Sequence, residues 1–418
     1  MKILHTSDWH LGQSFFTKTR AEEHQQFLTW LMKLVEQEQI DAIVVAGDIF
    51  DTGTPPSYAR KLYHQFVCEL QTYGCTLVVL GGNHDAVSVL NESRDLLRFL
   101  HCHVVASTAM DEQEQVFVLN DKSGQPGAIL CAIPFIRPRD VIKSQAGDEG
   151  IDKRIALGDA IKQHYASLYS RALQVQSTLE ITVPIVATGH LTALGVKTSD
   201  SVRDIYIGNL EGFAADGFPP ADYIALGHIH RPQIVAKQPH IRYSGSPIPL
   251  SFDELKSQKQ VVVVMLGDGK VQDITPVDVP LFQPMAIVRG NLESLDKQID
   301  GAIEAHLPTK DKPLWLCVEV ETHDYLTDLQ QRILALTEDK PVEILQLRRI
   351  REKSQQGLAQ QHQETLAELS VSDVFTARLE KEVFETDTEQ ARKLRISRLF
   401  ESMVTEIELS NEDNGGTE

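Results

Sequence analysis

This 418-residue chain has few cysteines, no long apolar run and a shortage of positive charge. Its five cysteines, Cys68, Cys75, Cys102, Cys131 and Cys317, are scattered with no Cys-x-x-Cys spacing. That argues against a disulfide framework and for a reduced, cytoplasmic setting. No apolar run approaches the length of a membrane span; Val261–Leu266 reads as a strand. The N-terminus enters a strand at once, so no signal peptide is expected. A Gly-x-x-x-x-Gly-Lys-Ser/Thr loop is also missing, so any use of ATP would have to come from a partner. Lys and Arg number 40 against 59 Asp and Glu, a formal charge of −19. A basic balance would ordinarily mark non-specific nucleic-acid binding, and this chain lacks it.

What is present is a series of polar motifs, each behind a short apolar segment. Lys2–Thr6 leads to Asp8-Trp9-His10, and Ala42–Ala46 to Gly47-Asp48. Leu77–Leu80 leads to Gly82-Asn83-His84-Asp85, Ile185–Ala187 to Gly189-His190, and Tyr223–Leu226 to Gly227-His228-Ile229-His230. Each motif alone is weak, since Gly-Asp or Asn after a strand is commonly just a turn. Together they place candidate ligands along one edge of a sheet, where open α/β proteins build their sites. Carboxylates, an amide and imidazoles suit divalent Mn, Fe, Zn or Mg. Asp8, His10, Asp48, Asn83, His190, His228 and His230 make seven protein ligands, too many for one catalytic ion with an open position. Two ions roughly 3.5–4 Å apart that shared Asp48 would support in-line phosphoester hydrolysis. His5, inside the first strand, is expected to pack beside the site without ligating.

The segments KILHTSDWHLGQ, VVAGDIFDTGTPPSYAR, LGGNHD, ATGHL, ALGHIHRPQ and YSGSPIPLSF cover residues 1–255. On these the chain resembles the calcineurin-like metallophosphoesterase superfamily, and within it the nuclease branch that serves DNA repair and recombination. The resemblance implies a four-layer α/β/β/α sandwich with a small α+β capping domain and C-terminal helices. It assigns Asp8, His10 and His230 to a first metal and Asn83, His190 and His228 to a second, with Asp48 bridging and Mn²⁺ as the expected ion. His84 is implied to face the phosphate, orienting the nucleophile or protonating the leaving oxygen. In the phosphatase branch a carboxylate three residues after the bridging Asp orients the catalytic histidine, which suggests an Asp51–His84 pair. The same resemblance implies 3′-to-5′ exonuclease action on duplex ends and endonuclease action on single strands and hairpins. It also implies a coiled-coil ATPase partner, and a homodimer within a heterotetramer.

Two other classes share the fold: phosphoesterases of small molecules or phosphoproteins, and scaffolds that have lost their metals. The first usually carries an Arg where Thr52 stands here, and every ligand position is filled, which disfavours the second. Basic residues near the motifs, Arg137, Arg139, Lys197, Arg203, Arg231 and Lys256, are candidates for DNA contact. Bound metals would add positive charge where a phosphodiester must sit.

The chain divides into residues 1–280, 281–349 and 350–418. Helical spacing is expected over Ala21–Gln37, Tyr58–Gln71 and a polar insertion at Lys143–Thr178, with a hairpin between Asp111 and Gly127. Strands Arg242–Ser244, Gln260–Leu266 and Val271–Ile274 close the first part. The second reads strand Met285–Val288, helix Leu292–His306, strand Leu314–Glu321, helix Tyr325–Leu336, strand Val342–Leu347. Ile350–Gln363 reads as a Gln-rich linker and Ser410–Glu418 as an acidic, disordered tail. Between them, helices Val371–Phe384 and Arg392–Leu409 carry apolar faces, with Val374, Phe375, Leu379, Leu399, Phe400 and Met403 as candidate partner contacts. Leu62, Phe66, Leu96, Leu97 and Leu100, on Tyr58–Gln71 and Asn91–Leu100, are candidates for a dimer contact.

Overall fold

The computed structural model describes residues 1–141, 150–203, 205, 212–321 and 329–350, with the backbone alone for 150–155. The linker, the two amphipathic segments and the tail after 350 lie outside the described residues, as do their candidate partner contacts.

Two six-stranded sheets form the main body. The first runs Lys270–Asp278, Gln260–Gly267, Lys2–Thr6, Ala42–Val45, Thr76–Leu80, Cys102–Val105, parallel over its last four strands and antiparallel at the other side. The second runs Gln233–Val235, Gln238–Tyr243, Tyr223–Gly227, Ile185–His190, Pro126–Cys131, Val116–Asn120, with its four central strands parallel. The central strands are apolar on both faces because both faces are covered, and period-two alternation decides which face each residue takes. Leu4, Ile43 and Val45 pack under the helices Ala21–Glu38 and Ser57–Leu70, together with Phe27, Leu31, Phe66 and Val67. Ile3, Ala42 and Val44 point the other way, onto Leu130, Val186 and Ala225 of the second sheet.

The outer face of the second sheet is closed by the helix Gly150–Ser177, whose Leu157, Ile161, Tyr165, Leu168 and Ala172 form one buried stripe. The insertion read as polar therefore supplies the fourth layer. Helix, sheet, sheet, helix is the order of layers.

The ligand motifs are not on one sheet, contrary to the sequence expectation. The first three follow strands of the first sheet and the last two follow strands of the second. Periodicity marks strand ends but carries no information about which strands pair. The sheets are tied across their interface by His5, whose Nδ1 accepts from the Tyr223 hydroxyl at 3.0 Å and whose Nε2 donates to the Leu226 carbonyl at 3.1 Å. Burial drives the His5 pKa down to about 3, so the ring stays neutral. It packs beside the site and is engaged on both nitrogens.

Residues 285–350 build a third sheet of three parallel strands, Met285–Gly290, Leu314–Glu321 and Val342–Ile350, with helices Leu292–His306 and Leu329–Ala335. Parallel strands need crossovers, so the helices here are βαβ connections and not a segregated α+β layer. This unit has its own core around Leu295, Ile299, Leu316 and Val318. It meets the main body through Trp315, stacked on Phe15 at 5.7 Å, and through a Lys18–Glu343 ion pair at 2.7 Å.

The candidate dimer residues separate by burial. Phe66 and Leu97 are 2% and 3% exposed and belong to the core. Leu62 and Leu100 pack against that core in part, and only Leu96, at 66%, stands free. Phe99, beside it, is 85% exposed. The expected helix Asn91–Leu100 is broken into Val87–Asn91 and Arg94–Arg98, which turns Leu97 inward and Leu96 and Phe99 out.

The two sheets approach closely where Gly227 meets the chain after Ala42–Val45. A β-carbon on Gly227 would lie 1.9 Å from the Ala46 carbonyl oxygen. Gly227→Ala must push the sheets apart, and is expected to cost about 1–3 kcal/mol, the usual range for overpacking. Denaturant unfolding checks this; an unchanged midpoint and slope would mean that the closeness is not required.

Candidate metal centre

All seven ligand candidates converge at the shared end of the two sheets. Oxygen or nitrogen atoms of Asp8, His10 and His230 lie within 4.8 Å of one another, as do those of Asp48, His190 and His228. Asn83 joins the second group: its Oδ1 is 2.9 Å from His190 Nε2 and 3.1 Å from His228 Nδ1. The Asp48 Oδ2 lies 3.6 Å from His10 Nε2 and 3.2 Å from His190 Nε2, one oxygen between the two groups.

The local backbone explains why each side chain turns inward. Asp8, His10, Asp48 and His228 all adopt left-handed conformations, with φ of 53, 46, 52 and 93°. Non-glycine residues rarely sit there, and each such position costs of order 1–3 kcal/mol, met by the surrounding structure. That structure is visible. The Asp8 amide donates to the Gly47 carbonyl and the His10 amide to the Asp48 carbonyl, both at 3.0 Å. The His228 amide donates to Asp8 Oδ1 at 2.9 Å. Asp85 gathers the amides of Ile49, Phe50 and Gly82 at 2.9–3.1 Å, locking the Asp48 loop to the Asn83 loop. Burial and the nearby Asp48 charge raise its pKa to about 6, against those three donors. Sequence reasoning gave Asp85 no role, although its place in the Gly-Asn-His-Asp motif was a signal.

A metal fits the donor set. His10 Nε2 and His228 Nε2 are buried with no hydrogen-bond partner, a costly state for polar atoms unless something else binds them. Three ligand rings are held from behind by Nδ1 while Nε2 faces the cluster. His10 Nδ1 meets Asp51 Oδ1 at 3.1 Å, His190 Nδ1 donates to the Ala46 carbonyl at 2.9 Å, and His230 Nδ1 meets Ser201 Oγ at 2.6 Å and Glu254 Oε1 at 3.2 Å. Such outer partners orient metal-binding imidazoles and raise their basicity.

The expected pairing of the Asp51 carboxylate with His84 does not form. The Asp51 carboxylate goes to His10, not to His84. The His84 ring is held instead by the Asp51 backbone carbonyl, which accepts from Nδ1 at 2.7 Å. A carbonyl can only accept, so Nδ1 carries the proton and Nε2 is left as an acceptor. Burial, partly offset by Asp48, lowers the His84 pKa and keeps that form neutral. The His84 ring lies edge-on to His10, with centroids 4.7 Å apart.

The candidate DNA contacts are less alike. Arg137 lies over the Phe135 ring, donates from Nη2 to the Asp85 carbonyl at 3.1 Å, and has a buried Nη1 with no hydrogen-bond partner. Arg231 is tied to Asp253 at 2.6 Å. Arg139 is exposed beside Asp140, and Lys197 is exposed with its backbone joined to Gln233. Arg203 contributes to the electrostatics of both Asp51 and His84.

Residues 1–232 match the calcineurin-like phosphoesterase family, and residues 281–383 match the family described as the type 5 capsule protein repressor C-terminal domain. The chain is 52% identical over 400 residues to the SbcD subunit of nuclease SbcCD from Escherichia coli K12, covering 96% of this chain and 97% of that one. It belongs to the SbcD family of calcineurin-like phosphoesterases. The SbcD subunits of nuclease SbcCD from Rhodobacter capsulatus and Bacillus subtilis are 34% and 29% identical, over 69% and 78% of this chain and 71% and 81% of theirs. Family and donor set agree on divalent metals. Among the described residues no helix is long and apolar enough to cross a membrane.

The site's proton balance gives a prediction. Burial alone would lower the His190 pKa, but the Asp48 charge and hydrogen bond outweigh it and raise the pKa to about 9. In the metal-free chain below that pH, Nε2 therefore holds a proton that a metal must displace. Metal affinity should rise from pH 7 to about pH 9, by up to about tenfold per unit, and then level off. Calorimetry across pH, with proton release read from buffer ionisation heats, tests this. Affinity independent of pH with no proton released would refute it.

Proposed function

We propose that this chain is a two-metal DNA nuclease, and that the single Asp48 oxygen set between two ligand groups is the observation that carries the reading. In this reading Asp8, His10 and His230 hold one ion, Asn83, His190 and His228 the other, and Asp48 both, with Mn²⁺ the ion used. When bound, the metals supply Lewis acidity and an activated water for phosphodiester hydrolysis. The protein fixes the geometry: Asp85 locks the two ligand loops, and Asp51 and Ala46 aim the imidazoles of His10 and His190. His84 Nε2, unprotonated and facing the cluster, orients the attacking nucleophile by accepting its proton. That assignment favours the nucleophile side over protonation of the leaving oxygen, because the neutral ring has its one proton on Nδ1.

The substrate reading is duplex ends cut 3′ to 5′, with endonucleolytic cuts in single strands and hairpins. The partner is a coiled-coil ATPase of the SbcC kind, working with this chain in the cytoplasm in DNA repair and recombination. The identity to the SbcD subunit of nuclease SbcCD over nearly the whole chain supports both. Arg137, with a buried Nη1 that has no hydrogen-bond partner and lies next to the His84 loop, is better placed to meet a phosphate than Arg231, which is paired with Asp253. The purified chain, alone and with the ATPase, should cut duplex and hairpin DNA with Mn²⁺, and ATP should stimulate duplex cutting only when the partner is present. Hydrolysis of small phosphoesters without any DNA cleavage would favour the phosphoesterase alternative.

Within that reading Asp48→Ala removes the shared ligand and should abolish hydrolysis with loss of metal in a folded chain. His84→Gln should keep two ions and slow turnover by roughly 10²–10⁴-fold. Metal counting on both variants decides. A His84→Gln chain that loses metal, or an Asp48→Ala chain that keeps two ions, would reverse the two roles.

A homodimer is part of the proposal. Its contact is centred on the exposed Leu96 and Phe99, with Leu62 and Leu100 at the margin. The double change Leu96→Asp and Phe99→Asp should give a folded monomer by light scattering, because neither side chain supports the core. Leu97→Asp is a poor test, since Leu97 is core. A wild-type chain that is monomeric at micromolar concentration would remove the dimer.

A further inference from the structure

Behind His230 lies a buried ion pair that the ligand motifs do not include. Glu254 and Lys259 are 0% and 5% exposed, and Lys259 Nζ lies 2.5 Å from Glu254 Oε2. The pair grips His230 at both ends. Glu254 Oε1 sits 3.2 Å from the ring Nδ1, and Lys259 Nζ donates to the His230 backbone carbonyl at 3.0 Å. Every remaining valence is used. Ser199 Oγ donates to Glu254 Oε1 at 2.9 Å and Ser201 Oγ also donates there, while the Leu250 amide donates to Oε2 at 2.9 Å. Ser246 Oγ accepts from Lys259 Nζ at 2.7 Å. The turn that carries Glu254, Phe252–Lys256, is pinned by Phe252 against Phe15, and Phe15 stacks on Trp315 of the third sheet.

A lone ion pair at such depth is a poor source of stability, because desolvation offsets most of its attraction. An arrangement in which both partners converge on one imidazole has a different use. A carboxylate behind Nδ1 fixes the tautomer, turns Nε2 towards the cluster and strengthens it as a donor.

We propose that Glu254, anchored by Lys259 and joined by Ser201, is a positioning residue that holds His230 for the first metal. This rests on the two-metal reading above. Glu254 does for His230 what Asp51 does for His10, but from a fully buried position. Through Phe252 and Phe15, its turn is also continuous with the packing of the third sheet.

The test is Mn²⁺ binding by the full chain at fixed pH, followed by calorimetry and electron paramagnetic resonance. The wild type should bind two ions. Glu254→Gln keeps the shape but removes the charge, and should weaken one ion by about 10- to 100-fold, the usual effect of losing an outer partner, while the other stays at wild-type affinity. Spectra of ¹⁵N-labelled histidines should assign the weakened ion to the site of His230. Ser201→Ala leaves the buried ion pair intact, should weaken the same ion by a smaller factor, and carries the test if Glu254→Gln does not fold. Wild-type affinities for both ions in these variants, with only a lowered melting temperature, would overturn the proposal and leave Glu254 a purely structural anchor. A wild-type chain that bound fewer than two ions would instead remove the two-metal reading, and this proposal with it.

Discussion

The centre depends on one buried carboxylate. Asp48 is 1% exposed, accepts the His84 amide at 2.9 Å through Oδ1, and presents Oδ2 to His10 and His190. Burial alone would raise its pKa, but His190, His10 and His84 outweigh that and hold it well below the carboxylate range. A charge at this depth persists only when it is paired. The neighbouring glycines follow from the same need for closeness: a β-carbon on Gly82 would lie 2.1 Å from Asp48 Oδ1, and one on Gly47 would lie 2.2 Å from His190 Nδ1. The loops are shaped around this carboxylate, and the two sheets meet where it sits.

The supports behind the ligands are not symmetric. The rings assigned to the first metal, His10 and His230, are backed by carboxylates, Asp51 and Glu254. His190, assigned to the second, is backed by the neutral Ala46 carbonyl. A carboxylate makes the opposite ring nitrogen a stronger donor than a carbonyl does. Two ions held as proposed would therefore sit in electronically distinct positions although their direct ligands are much alike. This asymmetry comes from residues distant in sequence, Asp51 beside the second motif and Glu254 well after the last.

The acidic balance of −19 and a nucleic-acid substrate are compatible because the relevant charge is local. Arg137 stands over Phe135, whose ring in turn lies edge-on to His190 at 6.2 Å. Two other basic candidates, Arg231 and Arg139, are neutralised by Asp253 and Asp140. The field at the cluster depends on what the ligands bind more than on the surface total.

The sequence alone was enough to pick out the side chains that converge at the cluster, the strands that precede them and the mixed α/β class. Glycine and carboxylate chemistry at strand ends is local, and period-two burial on covered sheets leaves continuous apolar runs. It also sufficed for the order of elements in residues 285–350. Tertiary structure decided the rest. Strand pairing put His190, His228 and His230 on a second sheet facing Asp8, Asp48 and Asn83, because hydrogen-bonding neighbours are not encoded in the spacing of any one strand. It sent the Asp51 carboxylate to His10 and left its carbonyl for His84, because the chain at Phe50 and Asp51 pairs with Leu11 beside the first motif, which the three-residue interval does not encode. It broke one helix so that Leu97 is core while Leu96 and Phe99 face outward. It also buried Glu254 behind His230, where a carboxylate and a lysine five residues apart in a polar segment gave no sign of a shared imidazole. Ligand identity is a property of local chemistry, whereas what holds each ligand in place arises from contacts between segments far apart in the chain.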